Sequence, residues 1–383
     1  FISALSTQFS FLKMIFILPK TKKSRHYSHF FQKFFINLAP YYLEMDIKTN
    51  QSLKPYHTFG VEAEAKYFAE INTEQELTEL LKNKAFSGLP VLFLGGGSNL
   101  FFTKNFDGLV VKINTKGIRE EILNENEVLV TAKAGENWHK FVQYCLTKDY
   151  GGLENLSLIP GNVGTCPIQN IGAYGVEIKD NFESCKALNL ETFEVKTFDK
   201  EECRFGYRDS FFKREGKGKF VILEVTFRLS RKLHNLKTEY GAIQNELKNL
   251  GITEPTIQDV AKAVINIRQS KLPDPKVTGN AGSFFKNPVI QASAYETLKK
   301  SYPEIHGYTA PDGIKISAAW LIENTGWKGK QIGNVATHKQ QALVIINATG
   351  NATGQEIYDF SEEIINSVKE KFGIVLEREV NII

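Results

Sequence analysis

Cysteine, methionine and long apolar runs are all scarce in this chain of 383 residues, and each scarcity excludes something. The four cysteines, at 145, 166, 185 and 203, stand about twenty residues apart with no paired spacing. That pattern fits neither a zinc site nor a small disulfide framework, and it predicts a reducing, cytoplasmic setting. Of seven histidines only His26 and His29 lie close together, with no HExxH and no cysteine or acid beside them. No metal is expected. Met14 and Met45 are the only methionines. The apolar run Phe11–Leu18 is interrupted by Lys13 and stopped by Pro19, too short to span a bilayer. It lacks the preceding basic segment and the small-residue cleavage site of a signal peptide. No membrane association is expected.

An excess of charge of one sign is also missing from most of the chain. Residues 1–44 carry six basic residues and one acid, a net of +5 out of the total +4, leaving −1 for the other 339. The main body therefore offers no general attraction to nucleic acid. Those first residues also lack glycine and hold eight phenylalanines. The reading is a disordered or non-native extension over 1–45, with Met45 as the natural start.

The chain as a whole has ordinary globular composition, 42% hydrophobic and 23% charged. Strand and helix patterns alternate from Ser52 onward, predicting an α+β architecture with a ligand-binding N-terminal part and a separate C-terminal part. Thr73-x-x-Glu76 is a capping box that opens a helix to about Lys84, with Leu77, Leu80 and Leu81 inward. Pro90–Leu94 reads as a buried strand ending at glycines. Strands are expected at Leu109–Ile113, Glu127–Ala134, Cys185–Leu190 and Phe220–Leu229, and helices at Trp138–Lys148 and Ile257–Gln269. Composition shifts after Ser230, a natural boundary. Thr353-x-x-Glu356 opens a last helix whose Ile357, Phe360, Ile364, Val368 and Phe372 face a core, and Gly373 stops it. A strand over Ile374–Ile383 closes the chain. There is no internal repeat and no low-complexity tract.

Two glycine-rich loops stand out. Gly95-Gly96-Gly97-Ser98-Asn99 follows the buried strand, yet it is no Rossmann fingerprint, because Leu100-Phe101-Phe102 continues as strand. It is no Walker loop either, lacking Lys-Ser/Thr. Three glycines permit close backbone approach, so that N–H groups can form a nest for phosphate; a plain tight turn is an equal reading of the triplet alone. Leu156–Gly175 is a long stretch with little room for regular structure, a length that usually marks function. Within it, Ile159-Pro160-Gly161-Asn162-Val163-Gly164 and Asn170-Ile171-Gly172-Ala173-Tyr174-Gly175 add four more glycines. Two such loops can clamp a dinucleotide pyrophosphate from both sides.

Three further segments carry side chains fit for chemistry. Arg204-Phe205-Gly206-Tyr207-Arg208-Asp209-Ser210 holds two arginines suited to an anionic group, unless Arg208 is tied to Asp209 at the surface. Lys271-Leu272-Pro273-Asp274-Pro275-Lys276 leads into Gly279–Pro288, where Ser283 sits among small residues. That serine is not in a GxSxG elbow, which disfavours hydrolysis and leaves a proton donor or a capping serine. Glu377 and Glu379, two apart on the expected final strand, share a face. Mutual repulsion can keep one protonated, although a solvated edge is the plainer reading.

In this order these segments resemble the UDP-N-acetylenolpyruvoylglucosamine reductase family from about Ser52 to Val380. The likeness includes Leu53–Gly60, the Gly95 loop, Ala134–His139, Ile159–Gly161, Gln169–Gly175, Phe205–Ser210, Lys271–Pro288 and His338–Ala342. Tyr240-Gly241 is similar to the longer type in that family, with a tyrosine loop over the substrate. The resemblance implies an FAD-binding PCMH-type domain of two α/β subdomains over 46–232. A C-terminal α+β substrate-binding domain would follow over 233–383, its last strand returning to the flavin site.

It further implies non-covalent FAD held by Gly95, Gly96, Gly97, Ser98, Asn99, Ile159, Pro160, Gly161, Gly164, Thr165, Gly172 and Tyr174. Ser283 would be the proton donor, with Arg208 and Glu379 stabilising charge on the enolpyruvyl carboxylate. Tyr240, Lys271, Asn287 and Gln341 would bind the UDP-sugar. The implied reaction takes hydride from NADPH through flavin to the terminal vinyl carbon, then a proton from Ser283 to the adjacent carbon. The product is UDP-N-acetylmuramate for peptidoglycan, made by a cytoplasmic monomer.

Two departures stand against the carry-over. Asn381 occupies a position where relatives have arginine, removing or replacing one flavin contact. Cys166 stands where a small residue is usual and is read as packing. The rival readings are an FAD-dependent hydroxy-acid oxidase, against which Lys271–Pro288 argues, and a non-catalytic nucleotide-sugar sensor, against which Ser283, Arg208 and Glu379 argue together.

Overall fold

Residues 45–383 are described by a computed structural model, and those from Asp46 onward form one unit. The expected extension, the Phe11–Leu18 run and the His26–His29 pair lie outside the described residues. Among the described residues no helix is long and apolar enough to cross a membrane.

The capping box at Thr73 forms as expected, opening the helix Glu74–Lys82 and burying Leu77 and Leu80. That helix belongs to a four-stranded mixed sheet in the order Ile47–Ser52, Glu64–Ile71, Phe106–Ile113, Val91–Leu94. The first pair is antiparallel and the other two are parallel. Parallel pairing sends the ends of Val91–Leu94 and Phe106–Ile113 to the same edge. The first glycine loop leaves from there.

A second sheet is antiparallel throughout, in the order Val195–Asp199, Phe182–Asn189, Phe220–Ser230, Glu127–Lys133, Ile118–Ile122. Its helix, Trp138–Thr147, buries Trp138, Phe141, Val142, Cys145 and Leu146. Phe227 meets Trp138 and Phe141 with ring centroids 5.7 and 5.5 Å apart. Cys166 lies in this same core, as the packing reading expected, and burial pushes its thiol well up.

The helices Gly241–Asn249 and Ile257–Lys271 pack on each other through Ile243, Leu247, Val260 and Val264. Ile257 and Ala261 reach the core of the five-stranded sheet. The composition boundary after Ser230 therefore precedes two helices that pack toward the N-terminal part. A third core forms around Gly354–Phe372, where Ile357, Phe360, Ile364, Val368 and Phe372 are buried and Gly373, at φ +69°, ends the helix. It packs with a four-stranded antiparallel sheet, Asn280–Ser283, Val344–Asn347, Val335–Thr337, Gln331–Ile332.

The expected closing strand Ile374–Ile383 is corrected. Only Asn381–Ile382 is strand, pairing in parallel with Leu100–Phe101. Ile374 and Leu376 are buried and Val375 is exposed, which gives the alternation of a strand without its ladder. The partner available before Asn381 is the short turn-out Phe284–Lys286, and it accepts a single bridge, Phe285 to Arg378.

Candidate active site

The two glycine loops meet directly. A Cβ built on Gly96 would lie 2.6 Å from the Gly161 Cα, and one on Gly95 would lie 2.5 Å from Thr165 Cγ2. Gly97 adopts φ +63°, and a Cβ there would sit 2.0 Å from the Tyr56 carbonyl oxygen. Only glycine allows these approaches. The loops therefore form one seam, instead of two jaws facing each other across a gap. Beneath it, Thr58 donates its N–H to the Gly97 carbonyl at 3.0 Å.

The backbone amides along the seam are free. The N–H groups of Gly96, Gly97, Ser98, Asn99, Gly161 and Asn162 donate to no acceptor among the described residues. Val163, Gly164 and Thr165, by contrast, use theirs on Glu136, Ala134 and Asn162. Gly164 packs against Ala134, the Thr165 hydroxyl donates to the Asn162 carbonyl at 2.8 Å, and Ile159 joins the core while Pro160 is exposed. Unpaired backbone donors are unfavourable unless water or a ligand takes them. Two touching loops with six of them suit an anion, and a dinucleotide pyrophosphate fits that donor set.

Asn99 joins this seam to the end of the chain. Its side-chain amide donates to Gln169 Oε1 at 2.8 Å and to the Glu379 carbonyl at 3.3 Å. Its own carbonyl accepts from the Asn381 N–H at 3.0 Å and from Asn381 Nδ2 at 2.9 Å. Asn381 thus has a job of its own, anchoring the first loop. Glu379 in turn donates its N–H to the Phe284 carbonyl at 2.8 Å, which sets it beside Ser283. Ser283 ends the strand Asn280–Ser283, is exposed, and its hydroxyl has no hydrogen-bond partner among the described residues.

Arg208 points inward and Arg204 does not. Arg204 pairs with Glu215 at 3.2 Å, both half exposed, and Asp209 is bound by Arg214. The surface pairing of Arg208 with Asp209 is thereby excluded. Arg208 Nη2 donates to the Gly172 carbonyl at 2.9 Å, and Nε stands 3.1 Å from Glu379 Oε1 without hydrogen-bond alignment. The residue adopts φ +52°, and Lys213 Nζ donates to its carbonyl at 3.0 Å. The next turn is locked by Ser210, whose hydroxyl donates to the Ile168 carbonyl at 2.7 Å, and by Asn170, which donates to the Gly206 carbonyl.

The two glutamates have separate environments. Glu377 is exposed and paired with Lys286, while the Glu379 side chain is only 11% exposed. Burial pushes the Glu379 carboxyl up from the usual carboxylate range, with Arg208, Lys213 and Lys286 pulling against it. The expected cause, repulsion between Glu377 and Glu379, is corrected: desolvation is what favours the proton.

The substrate-side residues are less tightly assembled. Tyr240 is exposed and packs edge-on against Tyr174, their centroids 5.4 Å apart, where Tyr174 turns the hairpin that starts at Gly172. Asn287 accepts from the Ala318 N–H at 2.9 Å and faces the Tyr207 hydroxyl. Gln341 forms the turn before Val344, the register partner of Ser283. Lys271 is exposed at the end of its helix, and among the described residues no hydrogen bond or ion pair joins it to Ser283. Sequence reasoning missed Lys213, Lys286 and Arg268. Arg268 is largely buried beside Tyr174, with its Nε unpaired. The Arg208–Ser210–Lys213 spacing was visible, but nothing local shows that Lys213 folds back on Arg208.

A family model described as "UDP-N-acetylenolpyruvoylglucosamine reductase, C-terminal domain" matches residues 274–383, and one described as "FAD binding domain" matches 65–195. The chain is 52% identical to the UDP-N-acetylenolpyruvoylglucosamine reductase of Flavobacterium johnsoniae, covering 88% of this chain and 100% of that one. It is 46% identical to that of Pseudomonas fluorescens, covering 88% and 99%. The crystal structure of the Thermus caldophilus reductase aligns with TM-score 0.59 at 22% identity, over 88% and 98% of the two chains. That alignment shows the fold.

Proposed function

Because the chain belongs to the UDP-N-acetylenolpyruvoylglucosamine reductase family, we propose that the glycine seam holds FAD and that Ser283, Arg208 and Glu379 work on its substrate. The protein is an FAD-dependent oxidoreductase of peptidoglycan precursor synthesis. It reduces UDP-N-acetyl-3-O-(1-carboxyvinyl)glucosamine to UDP-N-acetylmuramate with NADPH. The observation that carries the site assignment is the row of six free amides on touching loops, tied through Asn99 to the segment bearing Glu379.

When bound, FAD supplies the two-electron relay that takes hydride from NADPH and delivers it to the terminal vinyl carbon. The chain's own residues manage the rest. Addition there leaves negative charge on the neighbouring carbon and its carboxylate. Arg208 meets that carboxylate as a fixed cation held by the Gly172 carbonyl. Glu379, kept toward its protonated form by burial, donates a hydrogen bond to it. A serine hydroxyl is a weak acid, so Ser283 can protonate only a strongly basic centre at short range, and this carbon is one. Its freedom from any internal hydrogen bond leaves that proton available. Tyr240, Lys271, Asn287 and Gln341 bind the UDP-sugar, Lys271 facing phosphate. The enzyme works as a monomer in the cytoplasm.

The test is spectroscopic. The purified protein should be yellow, bleached by NADPH and recoloured by the enolpyruvyl substrate. Bleaching without recolouring by that substrate would overturn the reductase site in favour of an oxidase.

A further inference from the structure

The seam has a cation behind it. Lys112 lies at the end of Phe106–Ile113 as register partner of Leu94, the last residue before Gly95. Its ammonium donates to the Gly95 carbonyl, its one hydrogen-bond acceptor among the described residues. The side chain is half-buried, and desolvation pushes the ammonium down from its usual range, with Glu70 opposing. A half-buried lysine directed at a carbonyl, without a carboxylate bonded to it, is an uncommon arrangement.

The peptide it touches explains the arrangement. The Gly95 carbonyl and the Gly96 N–H belong to one planar trans unit, so they point in opposite directions. A cation on the carbonyl side fixes the N–H on the other side and withdraws electrons from it, making it a stronger donor. Gly96 is the residue whose backbone meets Gly161, and its N–H is free. We infer that Lys112 is a positioning residue for the cofactor pyrophosphate, which holds and polarises the Gly95–Gly96 peptide so that the Gly96 N–H binds a phosphate oxygen. Lys112 touches no phosphate itself. Its charge also offsets the anion across one peptide unit, so bound pyrophosphate relieves the burial of the ammonium. The inference rests on the assignment of the seam to FAD.

The experiment is FAD titration of the apoprotein by quenching of flavin fluorescence, with the melting temperature of each apoprotein as the folding control. Lys112→Met should weaken FAD binding about ten- to a hundredfold, the range of one hydrogen bond to a charged group. Lys112→Arg, which keeps the cation, should restore the affinity to within about threefold of wild type. Lys112→Gln keeps a neutral donor and should fall between them; it carries the test if the methionine variant does not fold. Neutral variants that fold and bind FAD as wild type does would overturn the inference while leaving the FAD assignment intact. An arginine variant as weak as the neutral ones would also overturn it. A wild-type apoprotein that does not take up FAD would instead overturn the assignment on which the inference rests.

Discussion

The seam at Gly95–Asn99 and the group around Ser283 lie within one hydrogen-bonded network yet are built in opposite ways. The seam works with backbone amides and needs the absence of side chains: a Cβ on Gly96 would meet the Gly161 backbone. The second region works with charged and hydroxylic side chains brought from segments far apart in sequence, Arg208, Ser283 and Glu379. The first should therefore fail when volume is added, and depend on charge only through the Lys112 ammonium behind the Gly95 carbonyl. The second should tolerate small changes of volume and fail when charge geometry changes.

Added volume should break the seam most severely. Gly96→Ala forces the two loops apart, and overpacking combined with lost amide donors should lower FAD affinity about a thousandfold. Equilibrium titration of the apoprotein measures this, and affinity near wild type would mean the seam does not hold the cofactor. Arg208→Lys preserves charge but loses the planar guanidinium that donates to the Gly172 carbonyl while standing beside Glu379. We expect kcat/KM for the enolpyruvyl substrate to fall about a hundredfold with FAD affinity unchanged. A fall in FAD affinity instead would erase the distinction between the two regions.

Lys213→Met should act more mildly, because it removes the bond that holds Arg208 at φ +52° and one of three cations facing Glu379. About a tenfold loss of kcat is expected, with the alkaline limb of the pH profile moved upward as the Glu379 proton is held more tightly. An unmoved limb would reduce Lys213 to packing. Glu379→Gln should show the smallest effect, in stability. Burial raises the folded-state pKa of Glu379, so its favourable contribution is complete at low pH and is lost as pH rises through that raised value. The glutamine variant has no such loss. Its melting temperature relative to wild type should climb from acid toward neutral pH, and a flat or falling difference would contradict the burial argument.

The two regions also differ in how far the sequence disclosed them. Glycine triplets and capping boxes are local signals, so the seam's residues and the helices opened at Thr73 and Thr353 were legible from residue type and spacing. The apolar run Ile374–Leu376 misled: in the structure its burial alternates as in a strand, but only Asn381–Ile382 joins a ladder, because alternation reports faces and not ladders. Asn99 bonding across 280 residues to Glu379, and Lys112 folding onto the Gly95 carbonyl, leave no trace in spacing. Ser283, Arg208 and Glu379 became a group only through the order of motifs. In isolation Ser283 and Glu379 read more plainly as a cap and a solvated edge, and Arg208 read equally well as a surface pair.

The claim that the seam and the Ser283 region carry separate halves of one reaction is tested most directly by Ser283→Ala in stopped flow. Bleaching of the flavin by NADPH should proceed near the wild-type rate, while recolouring by the enolpyruvyl substrate slows about a thousandfold or more. Equal slowing of both steps would show that Ser283 is not the proton donor and that the two regions do not divide the work.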